Sequence, residues 1–287
     1  MKSRSRISIV IPSLNEAATV PGLVSRLRSQ FPQAEILVVD DGSTDDTRIL
    51  CERAGARVVS HPYRKGNGAA VKSGARAASG QVLVFMDADG QHQAADVAKL
   101  LRRLDDGYDM VVGARDARGQ ANFIRRLGNG FYNRLASWIV GRPVLDLTSG
   151  FRAAKADLLR EFLPLFPNGF SYPCTVTMAF FRAGYSVDFL PIDVAVRTGR
   201  SHLRVMRDGL HFALIIFRIG TLYSPLKLFV PISAVFAALG LFNYLYTYIV
   251  AARFTNMSAL LLVTAVLVFL IGLVSEQIVM LLYKRDR

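Results

Sequence analysis

The sequence VLVFMDADGQH occupies residues 82–92 and indicates a strand that ends at a ligand site. Its first part, VLVFM, is an uninterrupted apolar run, which is typical of a buried strand. Residues two positions apart in an extended chain point the same way, so Asp87 and Asp89 can face one site with the Gln91 carbonyl close behind. Oxygen ligands of this kind suit Mg²⁺ or Mn²⁺. The stretch therefore predicts a divalent metal site, with a solvated turn as the alternative.

Similar apolar runs lie on both sides of this stretch and alternate with helical patterns. Such alternation is typical of a mainly parallel, doubly wound α/β sheet. These sheets bind ligands beyond the carboxyl ends of their strands, and polar clusters follow the first, second and fourth runs. The predicted strands are ISIVI (7–11), EILVVD (35–40), ARVVS (56–60), VLVFMD (82–87) and DMVVGAR (109–115).

An acidic cluster, DDGSTD at residues 40–45, closes the second predicted strand. Ser43, Thr44 and Asp45 fit an ordinary helix N-cap. Capping does not explain Asp40, because a carboxylate at the end of a buried strand is desolvated and needs a partner. Asp40 is therefore a candidate acceptor of hydrogen bonds from a nucleotide base or ribose.

Basic residues give weaker signals. The loop RKGNG at residues 64–68 opens a helical pattern, so its backbone amides and Lys65 are candidates for contact with a phosphate. It is not a Walker A loop, because the GxxxxGK[ST] pattern is absent. Several other arginines are scattered along the chain, and surface solubility explains each of them equally well. They are Arg115, Arg125, Arg126, Arg152 and Arg197.

The charge of the chain predicts an anionic partner. Its 287 residues include 35 Lys and Arg against 22 Asp and Glu, a formal net charge of +13. A nucleotide, a phosphorylated substrate, a phospholipid surface and nucleic acid all fit this surplus. Nucleic acid is not expected, because no recognised binding module is visible. Cys51 and Cys174 lack zinc-ligand spacing and are interpreted as buried thiols.

The C-terminal part of the chain is strongly apolar. Residues 228–252 and 254–275 carry no charge, and each stretch can cross a hydrocarbon core of about 30 Å. They predict two transmembrane helices, at about 228–252 and 257–283, joined by a tight turn. Basic residues flank both outer ends, and the positive-inside rule then places these ends in the cytoplasm. The flanking residues are Arg218, Lys227, Lys284, Arg285 and Arg287.

The segment before these helices alternates basic and apolar residues, as interfacial amphipathic helices do. A helix packed on the protein's own surface is the alternative. The N-terminal apolar run is too short for a signal peptide. We therefore expect an integral membrane protein with a domain at residues 1–200 on the cytoplasmic face of the cell membrane. Interfacial helices are expected at 201–227 and two membrane helices at 228–287.

The chain strongly resembles the family 2 glycosyltransferases of GT-A fold, which is a Rossmann-like, mainly parallel α/β class. Within that family it is similar to the dolichyl-phosphate mannose synthases and the bacterial undecaprenyl-phosphate sugar transferases. The resemblance covers about residues 6–208, and the two-helix tail with Glu276 is similar to the bacterial members. It rests on the segments ISIVIPSLNE, VVDDGSTDDT, RKGNGAAVKSG, VLVFMDADGQH, GAR, DLTSGFR and RTGRSHLR.

The resemblance implies roles for individual residues. The residues that it implies for the nucleotide are Pro12, Asn15, Glu16 and Asp40, to which the basic loop adds Lys65. Those implied for the metal on the donor diphosphate are Asp87, Asp89 and Gln91. Those implied around the acceptor phosphate are Arg115, Arg125 or Arg126, Arg197 and Ser201. His202 stands where the family commonly has lysine, so a fixed charge is replaced by one that titrates near neutral pH.

The implied reaction is an inverting transfer of a hexose from a GDP- or UDP-linked sugar to a polyprenyl phosphate. A hydroxyl acceptor must lose a proton to a base. A phosphate ester with a second pKa of about 6 is already largely dianionic. A surplus of arginines therefore fits the phosphate, with Asp87, Asp89 and Arg115 as the catalytic group. A hydroxyl acceptor with Asp87 or Asp89 as base, a non-catalytic membrane scaffold, and a homo-oligomer all stay open.

Overall fold

The computed structural model describes residues 6–88, 93–115, 123–169, 172–192, 220–221 and 223–284, with only the backbone described at 123–129 and 282–284. The chain divides into two compact units, residues 1–202 and 203–287. The first unit contains a sheet covered by helices, and the second contains two long apolar helices.

One mixed sheet forms the centre of the first unit. Among the described residues its strands are β1 (Ile7–Ser13), β2 (Glu35–Asp40), β3 (Arg57–Ser60), β4 (Val82–Phe85), β5 (Met110–Arg115), β6 (Arg152–Lys155) and β7 (Val187–Ile192). Their order is β3-β2-β1-β4-β6-β5-β7. Strand β6 is antiparallel to β4 and β5, and the other neighbours are parallel. The predicted mainly parallel α/β sheet is confirmed.

Helices cover both faces of this sheet. In the described part of the first unit they are α1 (Val20–Gln30), α2 (Thr47–Arg53), α3 (Asn67–Ala77), α4 (Ala94–Asp105), α5 (Phe123–Val140), α6 (Ala156–Glu161) and α7 (Tyr172–Arg182), with a 3-10 turn at Leu163–Leu165. Successive strand residues point to opposite faces. In β1, Ile9 and Ile11 therefore pack with α1, whereas Val10 faces α3, which approaches so closely that a Cβ at Gly74 would lie 2.3 Å from Val10.

The second unit contains a helical hairpin. Its helices are α8 (Pro225–Ala251) and α9 (Asn256–Lys284). The turn between them includes Ala252 with a left-handed φ of 49°. Both helices are long and apolar enough to cross a membrane, by length and composition. Large apolar side chains such as Phe242 and Ile249 are exposed along their outer surfaces, as lipid-facing side chains are.

Polar contacts join the two hairpin helices. The Ser233 hydroxyl donates to the Ala265 carbonyl at 2.8 Å, and the Ser258 hydroxyl donates to the Asn243 side-chain oxygen at 2.8 Å. At the other end, the buried Glu276 carboxylate accepts a bond of 3.4 Å from a backbone N–H in the first turn of α8. Hydrogen bonds between helices are a common means of association in lipid, where apolar surface gives no driving force.

Candidate active site

Three neighbouring parallel strands end at the same edge of the sheet. Strand β1 lies between β2 and β4, and Ser13 at its end is level with Asp40 at the end of β2. On the other side, the Met86 amide donates to Val10 of β1 at 3.1 Å, which places Asp87 directly beyond the end of β4. Ser13, Asp40 and Asp87, from the ends of β1, β2 and β4, therefore lie at one edge of the sheet.

The turn after β1 is hydrogen-bonded to the turn after β2, and we call Asn15, Asp40, Ser43 and Thr44 the turn cluster. Asn15 adopts a left-handed φ of 55°. Its amide donates to the Ser43 hydroxyl at 2.9 Å, and its side-chain oxygen accepts from the Thr44 amide at 2.8 Å. Asp40 is buried and accepts from the Ser43 amide at 3.0 Å. The turns are thus held in a fixed relative position.

The remaining predicted nucleotide residues at this edge lie beside the turn cluster. Pro12 is buried opposite Val39 of β2. The Glu16 amide donates to the Thr47 hydroxyl at 2.9 Å, which joins the turn before α1 to the start of α2. The structure therefore brings Pro12, Asn15, Glu16 and Asp40 together, as the sequence analysis expected. Their contact with a nucleotide stays a prediction.

Asp41 is the centre of a buried network that the sequence analysis did not identify. One carboxylate oxygen accepts from the Lys65 amide at 2.8 Å and lies 2.7 Å from His61 Nδ1, and the other accepts from the Gly66 amide at 2.8 Å. The Nε2 atom of His61 lies 2.8 Å from the Ser73 hydroxyl of α3. His61 follows β3 directly, but no local pattern pairs it with Asp41. The network fixes the basic loop beside the turn cluster.

The backbone amides at the start of α3 are already occupied. Gly68 donates to the Gly169 carbonyl at 3.1 Å, and Ala69 donates to the Asn168 carbonyl at 3.2 Å. With the Lys65 and Gly66 amides bound to Asp41, the expected phosphate contact through loop amides does not fit this structure. The Lys65 ammonium lies 5.6 Å from the centre of the Tyr63 ring. A nucleotide role of Lys65 therefore depends on its side chain.

Asp87 lies against the backbone of Gly150, in the segment DLTSGFR at residues 146–152. A Cβ at position 150 would lie 2.8 Å from both carboxylate oxygens of Asp87, so any other residue there would displace that carboxylate. A carboxylate held partly exposed at a strand end by such close packing fits a metal ligand. Asp89 and Gln91 lie outside the described residues, and the described residues alone contain no cluster of three acidic, histidine or cysteine ligands.

Arg115 is the last residue of β5 and forms a bidentate ion pair with Asp146. Its Nε donates to one carboxylate oxygen at 2.7 Å and its Nη2 to the other at 3.1 Å. The Nη2 atom also donates to the Thr148 hydroxyl at 2.6 Å. Burial opposes the ionisation of Asp146, but the bonds and charge of Arg115 prevail and lower the pKa of Asp146. We call Asp87, Arg115, Asp146, Thr148 and Gly150 the charged cluster.

Arg152 differs from the surface arginine that solubility would explain. It is fully buried and donates to the Pro173 carbonyl at 3.1 Å, to the Thr177 hydroxyl at 3.1 Å and to the Ser149 carbonyl. Burial is the main cause that lowers the pKa of Arg152. The side chain therefore fixes the 146–152 segment from below and does not face a ligand at the surface.

The other predicted acceptor residues are not positioned by the described structure. Arg125 and Arg126 belong to α5, of which only the backbone is described at these positions. Arg197, Ser201 and His202 lie outside the described residues. The two clusters, with Pro12, Glu16 and Lys65 beside the turn cluster, therefore contain the part of the predicted site that can be located. Sequence reasoning missed Asp146, Thr148, Gly150 and His61.

Comparison with protein families gives two matches. The model for glycosyl transferase family 2 matches residues 8–163, and the model for the GtrB C-terminal hairpin matches residues 224–281. The first match contains both clusters, and the second contains the described hairpin. The sheet with its polar carboxyl edge and the two-helix tail are thus both found in known families.

Several curated relatives are similar over most of their length. Glycosyltransferase AglJ of Haloferax volcanii is 32% identical over 86% of this chain and 82% of the relative. The polyprenol monophosphomannose synthase of Mycolicibacterium smegmatis is 29% identical over 69% of this chain and 80% of its own. The undecaprenyl-phosphate mannosyltransferase of Micrococcus luteus is 30% identical over 67% of this chain and 84% of the relative.

Solved structures include glucosyl-3-phosphoglycerate synthase from Mycobacterium tuberculosis. Its complex with Mn²⁺, UDP and phosphoglyceric acid has a TM-score of 0.61 and 27% identity, covering 76% of this chain and 78% of that chain. Its complex with Mg²⁺ and UDP has a TM-score of 0.62 and 27% identity, covering 76% and 79%. The likeness confirms the GT-A fold, and these neighbours bind a divalent cation and UDP.

Proposed function

This chain is a member of glycosyl transferase family 2, and we propose that it transfers a hexose from a nucleotide-diphosphate sugar to a polyprenyl phosphate. One observation supports this function above the others. The segment of residues 146–152 contacts Asp87 through Gly150 and Arg115 through Asp146. A carboxylate suited to the donor side and a cation suited to the acceptor side are therefore positioned by one short stretch of chain.

We place the nucleotide of a GDP- or UDP-linked sugar at the turn cluster. Asp40 ends a buried strand, and Asn15 and Glu16 lie on the adjoining turn. Carboxylate and amide oxygens at strand ends are suited to accept hydrogen bonds from a base or ribose. Because the turns are fixed by their own hydrogen bonds, little ordering is required when the nucleotide binds.

We assign the metal to Asp87 with Asp89 and Gln91, and Mg²⁺ or Mn²⁺ fits these oxygen ligands. When bound, a divalent cation stabilises the charge that develops on a departing diphosphate. The Asp87 carboxylate lies so near Gly150 that a side chain at position 150 would displace it. The Mn²⁺, Mg²⁺ and UDP complexes of the structural neighbours support this assignment.

We assign the acceptor phosphate to Arg115, with one of Arg125 and Arg126, and with Arg197 and Ser201. A phosphate oxygen forms the new bond to the anomeric carbon while the bond from that carbon to the diphosphate breaks, and the nucleoside diphosphate leaves. Attack from the opposite face inverts the anomeric centre. The dianionic phosphate needs no base, and arginine forks hold it near the second anion.

The hairpin at α8 and α9 explains how the enzyme meets such an acceptor. Burial of each CH₂ in lipid contributes about 0.8 kcal/mol, so a long polyprenyl chain stays in the bilayer and the site must come to it. We propose a catalytic domain at residues 1–200 on the cytoplasmic face, interfacial helices at 201–227, and a membrane-spanning part at 228–287. Names of relatives that act on polyprenyl phosphates support the same acceptor.

The function is tested with membranes that contain the full-length chain, undecaprenyl phosphate and a panel of radiolabelled GDP- and UDP-sugars. We expect one donor to give a labelled lipid that mass spectrometry identifies as undecaprenyl-phosphate hexose. The same membranes carrying Asp87→Asn should give little product. Failure of every donor, or equal product from Asp87→Asn, would exclude this assignment.

A further inference from the structure

An exposed aromatic face lies on helix α5, outside the two clusters. Phe131 and Trp138 are seven residues apart, two helical turns, and are 64% and 50% exposed. The opposite side of the same helix is buried through Tyr132, Ala136 and Ile139. The helix therefore has an ordinary core-facing side and an unusual solvent side, because both of the exposed large apolar side chains described on it are aromatic.

The turn after α5 extends this face. The Asn133 side chain donates to the Leu145 carbonyl at 2.5 Å, and the Val144 amide donates to the Ser137 hydroxyl at 2.9 Å. These bonds fold residues 141–145 back along the helix. Leu145 in this turn is 50% exposed and is a third large apolar side chain that the helix and its following turn present to solvent. We call Phe131, Trp138 and Leu145 the α5 patch.

The surroundings of the α5 patch are basic. Arg134 lies one turn from Phe131 and Trp138, Arg142 lies in the following turn, and both are exposed. The sequence from 117 to 145 contains five arginines and no acidic residue. Exposed aromatic side chains on one helix face, with arginines beside them, indicate a candidate contact site. Its positive rim selects a partner that is negatively charged.

We propose that the α5 patch docks on the headgroup region of a bilayer that contains anionic lipids. Tryptophan and phenylalanine with neighbouring arginines are typical of the membrane–water interface, where the rings enter the acyl boundary and the guanidinium groups remain at the phosphates. A second copy of this chain fits poorly. A symmetric contact through this patch would bring the arginines of both copies together.

Docking gives the catalytic unit a membrane contact of its own. Leu145 directly precedes Asp146, which holds Arg115 in the charged cluster. A patch seated on lipid headgroups therefore keeps that cluster close to the bilayer surface. The inference goes beyond the proposed function, because the contact depends on surface chemistry and holds for any acceptor in the membrane.

Trp138 is the single tryptophan of the chain and reports directly on this contact. The full-length protein is reconstituted in phosphatidylglycerol–phosphatidylcholine vesicles whose lipids carry bromine either near the headgroup end or near the end of the acyl chains. We expect strong quenching of Trp138 fluorescence by the headgroup-proximal bromines, weaker quenching by the distal ones, and protection from aqueous iodide.

A matched control moves the tryptophan to another exposed apolar position. Ile49 on α2 is 49% exposed, close to the exposure of Trp138, but lies beside the Arg48–Glu52 ion pair. In the double variant Trp138→Phe, Ile49→Trp, fluorescence should be open to iodide and insensitive to the brominated lipids. Equal lipid quenching in this variant and in the wild type would overturn the proposal.

The charge requirement is tested with Arg134→Ser combined with Arg142→Ser. Both side chains are exposed, so folding should be retained, as circular dichroism can check. We expect lipid quenching of Trp138 to fall in anionic vesicles. Unchanged quenching would contradict selection for anionic lipid. A second copy of the chain is the partner if Trp138 is protected from iodide but is not quenched by the brominated lipids, and if this protection disappears when the protein is diluted in the bilayer. That result would overturn the proposal.

Discussion

Around Asn15 and Ser43 two turns are joined by hydrogen bonds between side chains and backbone, whereas around Arg115 and Asp146 the partners are two charged side chains. Each neutral hydrogen bond contributes a net of about 1 kcal/mol to the free energy of unfolding. The turn cluster is stabilised by several such bonds. The charged cluster depends on one ion pair for its stability and on the space left by one glycine for the position of Asp87. A single substitution should therefore damage the charged cluster far more.

The largest effect is expected from Gly150→Ala. The added Cβ would lie 2.8 Å from both oxygens of Asp87, so the carboxylate has to move. A displacement of about 1 Å at a reacting centre costs about 100-fold in rate. We expect a loss of kcat of that order with a nearly unchanged melting temperature. Steady-state kinetics of sugar transfer and thermal unfolding measure the two quantities.

Gly130→Ala is the matched control for this substitution. A Cβ at position 130 meets nothing within 4 Å, and alanine is a better helix former than glycine. Transfer activity should therefore be retained. If Gly150→Ala is as active as Gly130→Ala, catalysis does not depend on the position of the Asp87 carboxylate. That result would contradict a catalytic role for the charged cluster.

The second effect is on stability. Arg115→Gln leaves the buried Asp146 carboxylate with neutral donors only. Breaking a buried ion pair costs about 3–5 kcal/mol, and the partial exposure of Arg115 reduces the expected loss to about 2 kcal/mol. Denaturant unfolding measures the free energy. The double variant Arg115→Gln, Asp146→Asn is the control, because it removes the unpaired charge and should recover part of the loss.

The same pair gives a pH dependence of defined sign. The folded-state pKa of Asp146 is lowered, so its contribution to stability is present above the unfolded pKa of about 4 and is lost as the pH falls through the lower folded value. In Arg115→Gln, burial dominates and raises that pKa. The stability gap between wild type and variant should therefore shrink on acidification. A gap that widens would contradict the ion-pair account.

In the other half of the site, His61→Leu should have a moderate effect. The substitution removes a hydrogen bond to Asp41 and leaves the Ser73 hydroxyl without its ring partner, which loosens the basic loop. A loss of about 1.4 kcal/mol of binding free energy corresponds to a tenfold loss of affinity. We expect KM for the nucleotide sugar to rise by about that factor with kcat little changed.

Conservative variants separate positioning from general damage. His61→Asn keeps a donor close to the position of Nδ1 and should restore part of the affinity for the nucleotide sugar. Ser73→Ala removes only the outer member of the network and should raise KM less than His61→Leu does. A fall in kcat without a rise in KM in His61→Leu would contradict a role in fixing the loop.

The smallest effect is expected at Asn15. Asn15→Ala loses the bond to the Thr44 amide and replaces asparagine, which tolerates the left-handed region, by alanine, for which that conformation costs about 1 kcal/mol. Asn15→Gly loses the bond but tolerates that φ. We expect a severalfold rise in donor KM for alanine and a smaller rise for glycine. Equal values would show that backbone strain makes no contribution at this turn.

The strands were predictable where the local pattern alone determines them. The runs at 35–40 and 82–87 are continuous and apolar, and the structure has strands at 35–40 and 82–85. Strand β6 has the sequence RAAK, which has no strand signal of its own, and it forms because β4 and β5 flank it on both sides. Strand β7 contains Pro191, which weakens its pattern as a strand.

The site was predictable only in its strand-end residues. Asp40 and Asp87 follow apolar runs, so position along the chain identifies them. Asp146 and His61 are identified by partners 31 and 20 residues away, and no local spacing contains that information. For Arg152 the sequence pattern indicates the wrong environment. An arginine is expected at the surface, but α7 packs against the sheet and buries this one.

The most direct test of the central claim compares two acceptors with the purified full-length chain and its labelled donor. Undecaprenyl phosphate and undecaprenol share the lipid tail and differ only in the phosphate. A site that holds a dianion with arginines and supplies no base should glycosylate the phosphate and leave the alcohol unmodified. Equal rates on both acceptors, or transfer to undecaprenol alone, would contradict the account.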